Sequence, residues 1–541
     1  MRITIIPDER IATIRPEVYG HFAEHLGRCI YEGVWVGEDS KIPNTRGIRN
    51  DVAAALKALH PAVLRWPGGC FADDYHWQDG IGPRDRRPRR INVHWNQEPE
   101  PNSFGTHEFI DFCRMIGAQP YMCGNVGSGT VRELRDWVEY CNWPCGADAI
   151  RPYGRGTRRV PSDEPRADAI RPYGRGTRRV PSGEPRADAI RPYGSTLADL
   201  RAANGAPEPF GVKYWGVGNE NWGCGGNFSP EDYCTEFRRY AGYMFNLGNP
   251  LFLIACGPSG NDVEWTRRFF AKLKKDYWDF GRIHGFSAHY YCGTAGSATE
   301  YTSGQWYQLL RQAAQIEPLV IQQRAAMDTF DPARQIGLIV DEWGTWHPAT
   351  PGKPCLWQQN TIRDALVAAL TLDTFNRHAD KVVMSNIAQT INVLQSMVLT
   401  DGPRIALTPT YHVYEMYRVH QGATAVRAIF EADKIQFGTG ADVHHLFGLD
   451  GSASMQDATL TVSVVNPSVD TPAETAIRIL GAGKFKLLSA RILTADDIHA
   501  HNRIGEEPHV QPRQEKLKGQ GTEFTYAFAP ASVTVLRMEA V

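Results

Sequence analysis

The sequence predicts an α/β protein in which a (β/α)8 TIM barrel precedes an all-β, jelly-roll-like sandwich. From about residue 16 to residue 390, eight short apolar runs alternate with longer amphipathic stretches, the pattern of strand and helix units around a parallel sheet. After about residue 405, apolar and polar residues alternate in short runs between Gly, Pro, Asn and Asp turns, which is typical of a sandwich. We therefore expect a barrel domain at residues 16–400 and a β-sandwich domain that includes residues 401–541.

Eight candidate strands mark the barrel, and each is a short apolar run that ends in a turn. They are residues 18–26, 62–69, 119–126, 213–220, 252–259, 285–291, 336–343 and 382–389. Helix-like segments between them include residues 106–116, 132–141, 230–246, 262–275 and 356–377. In a barrel of this kind the reactive groups lie at the carboxyl ends of the strands.

The strands of the sandwich are indicated at both ends of the sequence. Alternating runs occur at residues 459–465, 474–479 and 532–537. Residues 2–6 and 10–14 look like two more strands, and we expect them to complete the sandwich. Residues 1–15 would then belong to the same domain as residues 401–541.

A tandem repeat interrupts the barrel pattern at residues 147–194. The 20 residues from 147 to 166 recur at 167–186 with one change, Asp163 against Gly183, and a partial copy follows. The copies contain too few apolar residues to bury a stacked core, so we predict a duplicated surface loop. Because the two full copies hold ten Arg against five acidic residues, an arm that binds nucleic acid or a partner stays an alternative. The insertion precedes the fourth strand, at the end of the barrel opposite the reactive groups.

The composition excludes several classes of protein. The 541 residues include 58 Lys and Arg against 60 Asp and Glu, so no overall field would attract nucleic acid or anionic lipid. Fourteen Trp and 21 Tyr suit a sugar ligand, although a large core is the commoner reason for them. Eleven cysteines without paired zinc-type spacing are interpreted as mostly buried thiols in a reducing compartment. Since no apolar run suffices for a secretory signal or a membrane span, we expect a cytoplasmic protein.

Two of the predicted strands end in a carboxylate beside tryptophan. Glu220 precedes Trp222 by two residues at the end of the fourth strand, and Glu342 precedes Trp343 at the end of the seventh. Breaking a glycosidic bond requires one group to protonate the leaving oxygen and another to meet the sugar carbon from the opposite side, which two carboxylates can do. Strand ends four and seven face each other across the barrel mouth. The alternative is that each carboxylate caps a helix or pairs with a lysine.

A metal centre is the less favoured interpretation of two other clusters. His21, Glu24 and His25 superficially resemble a zinc motif, but a strand and turn would send Glu24 and His25 to opposite sides. Asp73, Asp74 and His76 form the other cluster. No nucleotide fingerprint of the G-x-G-x-x-G type follows a strand. We expect neither a metal nor a cofactor.

Six ordered motifs carry a resemblance to a known family. They are YGHFAEHLGR at 19–28, LRWPGGCF at 64–71, GNEN at 218–221, AHYY at 288–291, VDEW at 340–343 and NIAQ at 386–389. Together they resemble the α-L-arabinofuranosidases of glycoside hydrolase family 51, over the whole chain except the repeat. The resemblance implies a barrel with a jelly-roll-like sandwich and a retaining, double-displacement hydrolase. It identifies Glu342 as the nucleophile and Glu220 as the acid/base, with carboxyl groups about 5 to 5.5 Å apart.

The resemblance also implies the residues that hold the sugar. Glu24, Arg65 and Gln389 match positions that bind the furanose hydroxyls, and Asn219 would hydrogen-bond the 2-hydroxyl. His289 and Tyr291 match positions beside the nucleophile, where Tyr291 would donate its hydroxyl hydrogen to Glu342. Each residue also has a purely structural alternative. Arg65 would be an ion-pair partner at the barrel floor, Gln389 would hydrogen-bond the backbone, and His289 would be a buried histidine that donates to a carbonyl.

One position in the substrate-binding set departs from the family pattern. Cys70 stands where many members have Asn, and a thiol is a poor hydrogen-bond partner, so a sugar contact is placed in doubt. His25, Trp95 and Trp346 are further candidates for the walls of the cleft.

These inferences predict an exo-acting α-L-arabinofuranosidase that removes terminal non-reducing arabinofuranosyl units from arabinan or arabinoxylan oligosaccharides. The alternatives are a related retaining barrel glycosidase on xylosides or β-glucans, and a carbohydrate-binding barrel without activity. The expected partners are arabinose-containing oligosaccharides, with no nucleic acid and no membrane. The resemblance further implies a homo-oligomer, often a hexamer.

Overall fold

The computed structural model describes residues 1–145, 196–276, 281–481 and 483–541, and its central feature is a closed barrel of parallel strands. Each strand pairs with its neighbour in the sequence, and the last pairs with the first. The barrel and the β domain described below confirm the predicted fold class. Six barrel strands fall inside predicted segments, whereas the sixth and seventh strands extend past theirs by two and three residues. The strands are β1 (Gly20–Phe22), β2 (Val63–Trp66), β3 (Gln119–Gly124), β4 (Tyr214–Val217), β5 (Phe252–Ala255), β6 (Gly285–Gly293), β7 (Gly337–Trp346) and β8 (Val382–Ala388).

The described helices surround the barrel, and several begin at the caps that the sequence offers. The hydroxyls of Thr130, Ser229 and Thr302 each accept a hydrogen bond from the backbone three residues later. The helices are α1 (Asn50–Ala58), α2 (Thr106–Ile116), α3 (Val131–Asn142), α4 (Leu197–Ala203), α5 (Pro230–Tyr243), α6 (Val263–Asp276), α7 (Ser303–Ala313), α8 (Ile316–Asp328), α9 (Ile362–Arg377) and α10 (Pro409–Tyr417).

Helix α9 differs from the prediction and joins the two parts of the molecule. The predicted segment 356–377 is helical only from Ile362, because Thr361 and Asp364 form a capping box there. Nearly all of its residues are buried, since it packs against the barrel on one side and the β domain on the other. Asp373 accepts hydrogen bonds from the hydroxyls of Ser452 and Ser463 in the β domain.

Ten strands from both ends of the sequence form one sheet in the β domain. A single apolar cluster contains Ile477 and Phe528 from one end of the sheet and Phe485 and Ile492 from the other, so the sheet encloses a common core. The strands are Arg2–Thr13, Thr424–Glu431, Asp450–Gln456, Thr459–Asn466, Ala473–Ile479, Phe485–Leu493, Arg513–Lys516, Gln520–Gly521, Glu523–Phe528 and Ser532–Ala540.

The prediction of two amino-terminal strands was wrong, because residues 2–13 form one strand. It runs antiparallel to Thr424–Glu431, where Ile6 faces Arg427 and Arg10 faces Val426. The residues between Ile6 and Arg10 bulge out of the pairing, so the break in the apolar pattern reflects an irregularity within one strand. The domain limits at residues 16–400 and at 1–15 with 401–541 stay predictions.

Four short strand pairings lie outside the barrel and the ten-stranded sheet. Two-stranded hairpins are formed by Asn44–Thr45 with Ile48–Arg49, Arg90–Asn92 with Glu98–Glu100, Val398–Asp401 with Arg404–Leu407, and Ile435–Phe437 with His444–Leu446. The predicted repeat insertion at 147–194 lies outside the described residues, between α3 and α4. Within the described ranges, every helix is too short or too polar to span a bilayer.

Alternation along the strands builds the barrel interior in layers. One cluster of buried side chains fills the interior near the amino ends of the strands: Val63, Tyr121, Tyr214, Ile254, Ile339 and Met384. Two residues further along each strand, side chains point to the same face. This next layer includes Arg65 from β2 and Asp341 from β7, both buried. The apolar layer therefore supports a charged layer directly beneath the pocket.

Candidate active site

A cavity of about 410 Å³ lies at the carboxyl ends of the barrel strands. It is lined by Glu24, Cys70, Glu220, His289, Tyr291, Glu342 and Gln389, together with Trp95, Trp222 and Trp346. The structure thus brings seven of the nine predicted site residues to the lining of one pocket, and Arg65 and Asn219 lie just below them. A larger cavity of about 730 Å³ adjoins residues 348–357, but neither Glu220 nor Glu342 lines it.

Glu342 points into the barrel because strand β7 contains a bulge. Ile339 pairs with Ser287 and Glu342 with His289, so three steps along β7 match two along β6. Regular alternation would turn either Asp341 or Glu342 outward, whereas the extra residue lets both face the interior. Glu342 Oε1 accepts a hydrogen bond from Arg65 Nη1 at 2.6 Å, and Oε2 accepts one from the Tyr291 hydroxyl at 2.9 Å.

Glu220 lies in a tight turn immediately after β4. Its backbone φ of 40° and that of Gly218 at 87° are both in the left-handed region, which is uncommon for glutamate. Such conformations cost about 1–3 kcal/mol and persist only where the surroundings hold them. The turn directs the half-buried Glu220 side chain to His289, whose Nδ1 is 2.9 Å from Glu220 Oε1. One carboxylate oxygen of Glu220 lies within 4.8 Å of one of Glu342.

His289 occupies the centre of three carboxylates. Its Nε2 is 2.8 Å from Asp341 Oδ1, and its Nδ1 is 2.9 Å from Glu220 and 3.5 Å from Glu342. Although burial opposes it, the charges of Glu342 and Asp341 raise the pKa of His289 to about 10. The ring is therefore an imidazolium near neutral pH and donates from both nitrogens.

Asp341 anchors this arrangement from below. Its carboxylate accepts from His289 and from the Tyr121 hydroxyl at 2.8 Å, and Arg65 Nε is 3.7 Å away. Burial opposes ionisation, but Arg65 and His289 outweigh it and lower the pKa of Asp341. The sequence-based site prediction omitted Asp341, although its position two residues after the inward-facing Ile339 would have identified it.

Glu24 forms the opposite wall with Gln389 and Trp95. Its Oε2 accepts from Gln389 Nε2 at 3.0 Å, and Oε1 accepts from Trp95 Nε1 at 2.9 Å. Burial, with the charge of Glu342, raises the pKa of Glu24 to about 7. The turn after β2 needs small residues here, because a Cβ on Gly68 would come within 2.6 Å of the Glu24 side chain.

Arg65 and Asp73 hold Asn219 in place. Arg65 Nη2 donates to Asn219 Oδ1 at 2.5 Å, so one guanidinium binds both Asn219 and Glu342. The backbone N–H of Asn219 donates to the buried Asp73 carboxylate at 2.7 Å. Asp73 also accepts from the backbone of Val126 and Gly127, which joins the loops after β2, β3 and β4.

The expectation of a free thiol at Cys70 was wrong. Cys70 forms a disulfide with Cys224, and the two Cα atoms are 5.5 Å apart. The reason is tertiary, because the turn after β4 returns over the turn after β2, 154 residues earlier in the chain. The other nine cysteines, all within the described ranges, are unpaired, and seven of them are buried.

The predicted metal-like clusters do not converge on a point. Glu24 faces the pocket, whereas His25 contacts Glu100 at 2.8 Å and lies outside the pocket lining. Asp73 binds backbone N–H groups, while His76 pairs with Glu133 at 2.9 Å. Both predicted tryptophan walls, Trp95 and Trp346, do line the pocket.

Sequence comparison matches two domain families to this chain. They are the alpha-L-arabinofuranosidase C-terminal domain at residues 341–532 and the alpha-L-arabinofuranosidase 1 domain at residues 55–155 and 189–303. An intracellular exo-alpha-L-arabinofuranosidase of Bacteroides ovatus is 41% identical over 516 residues, which cover 94% of this chain and 89% of that one. A probable alpha-L-arabinofuranosidase C of Aspergillus clavatus is 30% identical, with 99% of this chain and 97% of that one covered.

Solved structures give the same result for the fold. The GH51 arabinofuranosidase of Xanthomonas axonopodis pv. citri superposes with a TM-score of 0.86 and 37% identity, covering 99% of this chain and all of that one. The alpha-L-arabinofuranosidase of Thermotoga maritima, solved as an arabinose complex, has a TM-score of 0.80 and 29% identity, with 99% of each chain covered.

Proposed function

Because this chain belongs to the α-L-arabinofuranosidases of glycoside hydrolase family 51, we propose that it hydrolyses its arabinose-containing substrates with retention, through Glu342 as nucleophile and Glu220 as acid/base. The observation that carries the proposal is the approach of the two carboxylates, whose oxygens come within 4.8 Å. Retaining enzymes hold them about 5 to 5.5 Å apart, whereas inverting enzymes leave about 6.5 to 9.5 Å for a water molecule.

The contacts of Glu342 suit a nucleophile. Arg65 and Tyr291 each donate to one of its oxygens, so the side chain is held in place and aimed at the pocket. Attack on the anomeric carbon forms an arabinosyl ester and breaks the bond to the leaving oxygen. Glu220 gives that oxygen a proton and later takes one from the water that cleaves the ester.

Protonated His289 contacts both Glu220 and Glu342, so its positive charge stabilises whichever of the two carries the negative charge. In the first step Glu342 loses its negative charge to the ester, while Glu220 gains one by releasing its proton. His289 Nδ1 is 2.9 Å from Glu220 and 3.5 Å from Glu342, so one fixed positive charge serves both states. Because His289 occupies Glu220 Oε1, the proton transferred to the leaving oxygen belongs to Oε2.

We assign the sugar-binding role to Glu24, Arg65, Asn219, Tyr291 and Gln389. Glu24 and Gln389 form one hydrogen-bonded pair on the pocket wall. Arg65 donates to both Asn219 and Glu342 and so holds Asn219 beside the nucleophile. In the disulfide-bonded form described above, Cys70 contributes backbone and disulfide surface to the pocket. We infer exo action on the terminal arabinofuranosyl units of arabinan or arabinoxylan oligosaccharides, and the exo activity in the name of the Bacteroides relative supports the first part of this inference.

The same relative supports a location in the cytoplasm, since its name describes it as intracellular. A cytoplasmic enzyme meets short imported fragments more readily than wall polymer. The homo-oligomeric, hexameric state stays a prediction, and light scattering of the purified chain would test it.

The test is Glu342→Ala with p-nitrophenyl α-L-arabinofuranoside. We expect hydrolysis to fall by at least about 10³-fold while arabinose binding persists, and azide to restore turnover with an inverted arabinosyl azide as product. Unchanged hydrolysis, or azide rescue without inversion, would exclude Glu342 as nucleophile. Parallel assays on the β-D-xyloside and a β-glucan separate the alternative glycosidases, and turnover of either above that of the arabinoside would overturn the assignment.

A further inference from the structure

A disulfide bridge lies at the rim of the pocket, next to the proposed general acid. It joins Cys70, after β2, to Cys224, which follows Glu220 by four residues. Sγ of Cys224 is 3.7 Å from Oε2 of Glu220, the oxygen that His289 leaves free. Neither cysteine is buried, and Cys70 lines the pocket beside Glu220. A small thiol reductant can therefore reach the bridge from the pocket.

The other cysteines do not offer a comparable pair. Burial raises the pKa of the thiols of Cys29, Cys123 and Cys234 to about 12, which keeps them protonated and unreactive. Cys145 and Cys355 are partly exposed but unpaired. Reduction of the bridge thus creates one accessible pair of thiols, placed beside a carboxylate.

The positions of these three side chains suit a metal ion. Both sulfurs and a carboxylate oxygen of Glu220 lie within 4.8 Å of one another. A tetrahedral Zn²⁺ holds each thiolate at about 2.3 Å, which places two sulfurs about 3.8 Å apart. Cysteine side chains on Cα atoms 5.5 Å apart can span that distance after reduction. The open pocket leaves room for a water as the fourth ligand.

We propose that, once the bridge is reduced, Cys70, Cys224 and Glu220 form a reversible binding site for a thiophilic divalent cation such as Zn²⁺. A dithiol supplies two electrons and two protons: the S–S bond breaks, two thiols form and the dithiol becomes a cyclic disulfide. The cation then displaces the two thiol protons to solvent and binds Oε2 of Glu220. Two thiolates favour such ions over Mg²⁺ and Ca²⁺.

A cation at this site inhibits hydrolysis, a consequence that rests on the proposed role of Glu220. The metal occupies the oxygen that gives its proton to the leaving group, and its bulk obstructs the pocket rim. In the cytoplasmic location proposed above, thiols are kept reduced, so the metal-binding form is the one expected there.

A cation could instead bind a second cluster of side chains with ligand atoms close together, which consists of Glu220, His289 and Glu342. His289 directs both ring nitrogens at carboxylates, so neither nitrogen is free to bind a metal. Binding there would be independent of the disulfide, which makes the two locations separable by experiment.

Cd²⁺ binding tests the site without relying on activity. One sample of the whole enzyme is reduced with dithiothreitol and desalted under argon, and the other is kept oxidised. We expect the reduced sample to bind one Cd²⁺ per chain with the ultraviolet absorption of a cadmium–thiolate bond, and the oxidised sample to lack it. Equal absorption in both samples, or none in the reduced one, would overturn the proposal.

Zn²⁺ inhibition tests the consequence for catalysis. We expect the concentration of Zn²⁺ that halves hydrolysis to be at least tenfold lower for the reduced enzyme, with full recovery on adding EDTA. Equal inhibition of both forms would assign the cation to the His289 group instead. If neither form hydrolyses arabinosides, the proposed function fails, while the Cd²⁺ result still decides the site.

A cysteine substitution and a chemical modification of the wild-type chain test the thiol ligands separately, so that a variant that fails to fold does not decide the result. Cys224→Ser should remove the cadmium–thiolate absorption, and the matched change Cys145→Ser, at a partly exposed unpaired cysteine, should preserve it. Alkylating the reduced wild-type chain with iodoacetamide should also abolish Cd²⁺ binding. Persistence of the absorption after alkylation would show that the thiols are not the ligands.

Discussion

Asp341→Asn tests how the buried carboxylate acts on catalysis through His289. The amide keeps nearly the same shape and retains an acceptor for His289 Nε2, but it removes the negative charge 2.8 Å from that nitrogen. Asp341 is buried and touches neither the pocket surface nor, in our proposal, the sugar. The variant therefore lowers the pKa of His289 and leaves the pocket lining intact.

The size of the effect follows from the contacts of His289. One opposite charge within this range shifts a pKa by about 1 to 3, so the pKa of His289, about 10 in the wild type, should fall to between about 7 and 9. A hydrogen bond between charged groups contributes about 1.5–3 kcal/mol, and replacing the anionic acceptor by a neutral amide roughly halves that contribution, which corresponds to a fall of about 4-fold to 12-fold in kcat/KM. The imidazolium is lost as pH rises through the lowered pKa, so the alkaline limb of the activity profile should move to lower pH.

The assay compares kcat/KM from pH 5 to pH 9 for arabinosides with good and poor leaving groups. Because His289 orients Glu220, the loss should be larger where the leaving oxygen needs a proton, as in an arabinobioside, than for an activated aryl arabinoside. Tyr121→Phe is the matched control, since it removes a neutral donor from Asp341 but leaves the charge. A variant profile that coincides with the wild type, with equal losses on all substrates, would refute the reasoning.

Three further predictions follow from the contacts described above. Arg65→Lys should lower kcat/KM by about 10-fold to 150-fold on every leaving group alike, because an ammonium cannot bind Asn219 and Glu342 together; a loss confined to poor leaving groups would contradict this. Glu24→Gln should be inactive yet more stable than the wild type at high pH. The pKa of Glu24 is raised from 4.5 to about 7 in the folded protein, so the wild type loses stability as pH rises through that interval. Urea unfolding at pH 5 and pH 8 should therefore show that the variant's free energy of unfolding, relative to the wild type, increases by up to about 3 kcal/mol. A difference independent of pH would refute it. Deleting residues 147–186 should leave kcat/KM within about twofold, since the repeat enters before β4; a large loss per site would show that it supports the pocket.

The barrel and most of the pocket are predictable from sequence because both follow from short-range patterns. Each barrel strand is an apolar run that ends in a turn, and eight such runs constrain the topology. Once β4 and β7 are assigned, Glu220 and Glu342 must come to the same end of the barrel. Their approach within 4.8 Å then depends on the closed topology and local strand geometry.

The features that were not predicted depend on one-residue irregularities or on contacts between distant loops. The bulge in β7 turns Asp341 and Glu342 inward together, and alternation alone cannot reveal it. The pairing of Cys70 with Cys224 depends on the distance between two turns that are 154 residues apart. The same limitation affected the first strand, where a bulge was interpreted as the end of one strand and the start of another.

The pairing of the first strand with late strands of the sheet has a consequence for synthesis on the ribosome. Arg2 faces Glu431 across the sheet, 429 positions later, and its other neighbour, Ala473–Ile479, is made later still. At about 5–20 residues per second, roughly 20–90 s pass before the first partner emerges. Throughout that interval the amino-terminal strand must remain unpaired and uncleaved. A protease that cut this strand, or a bulky fusion attached to it, would prevent its pairing with the strands that are synthesised last.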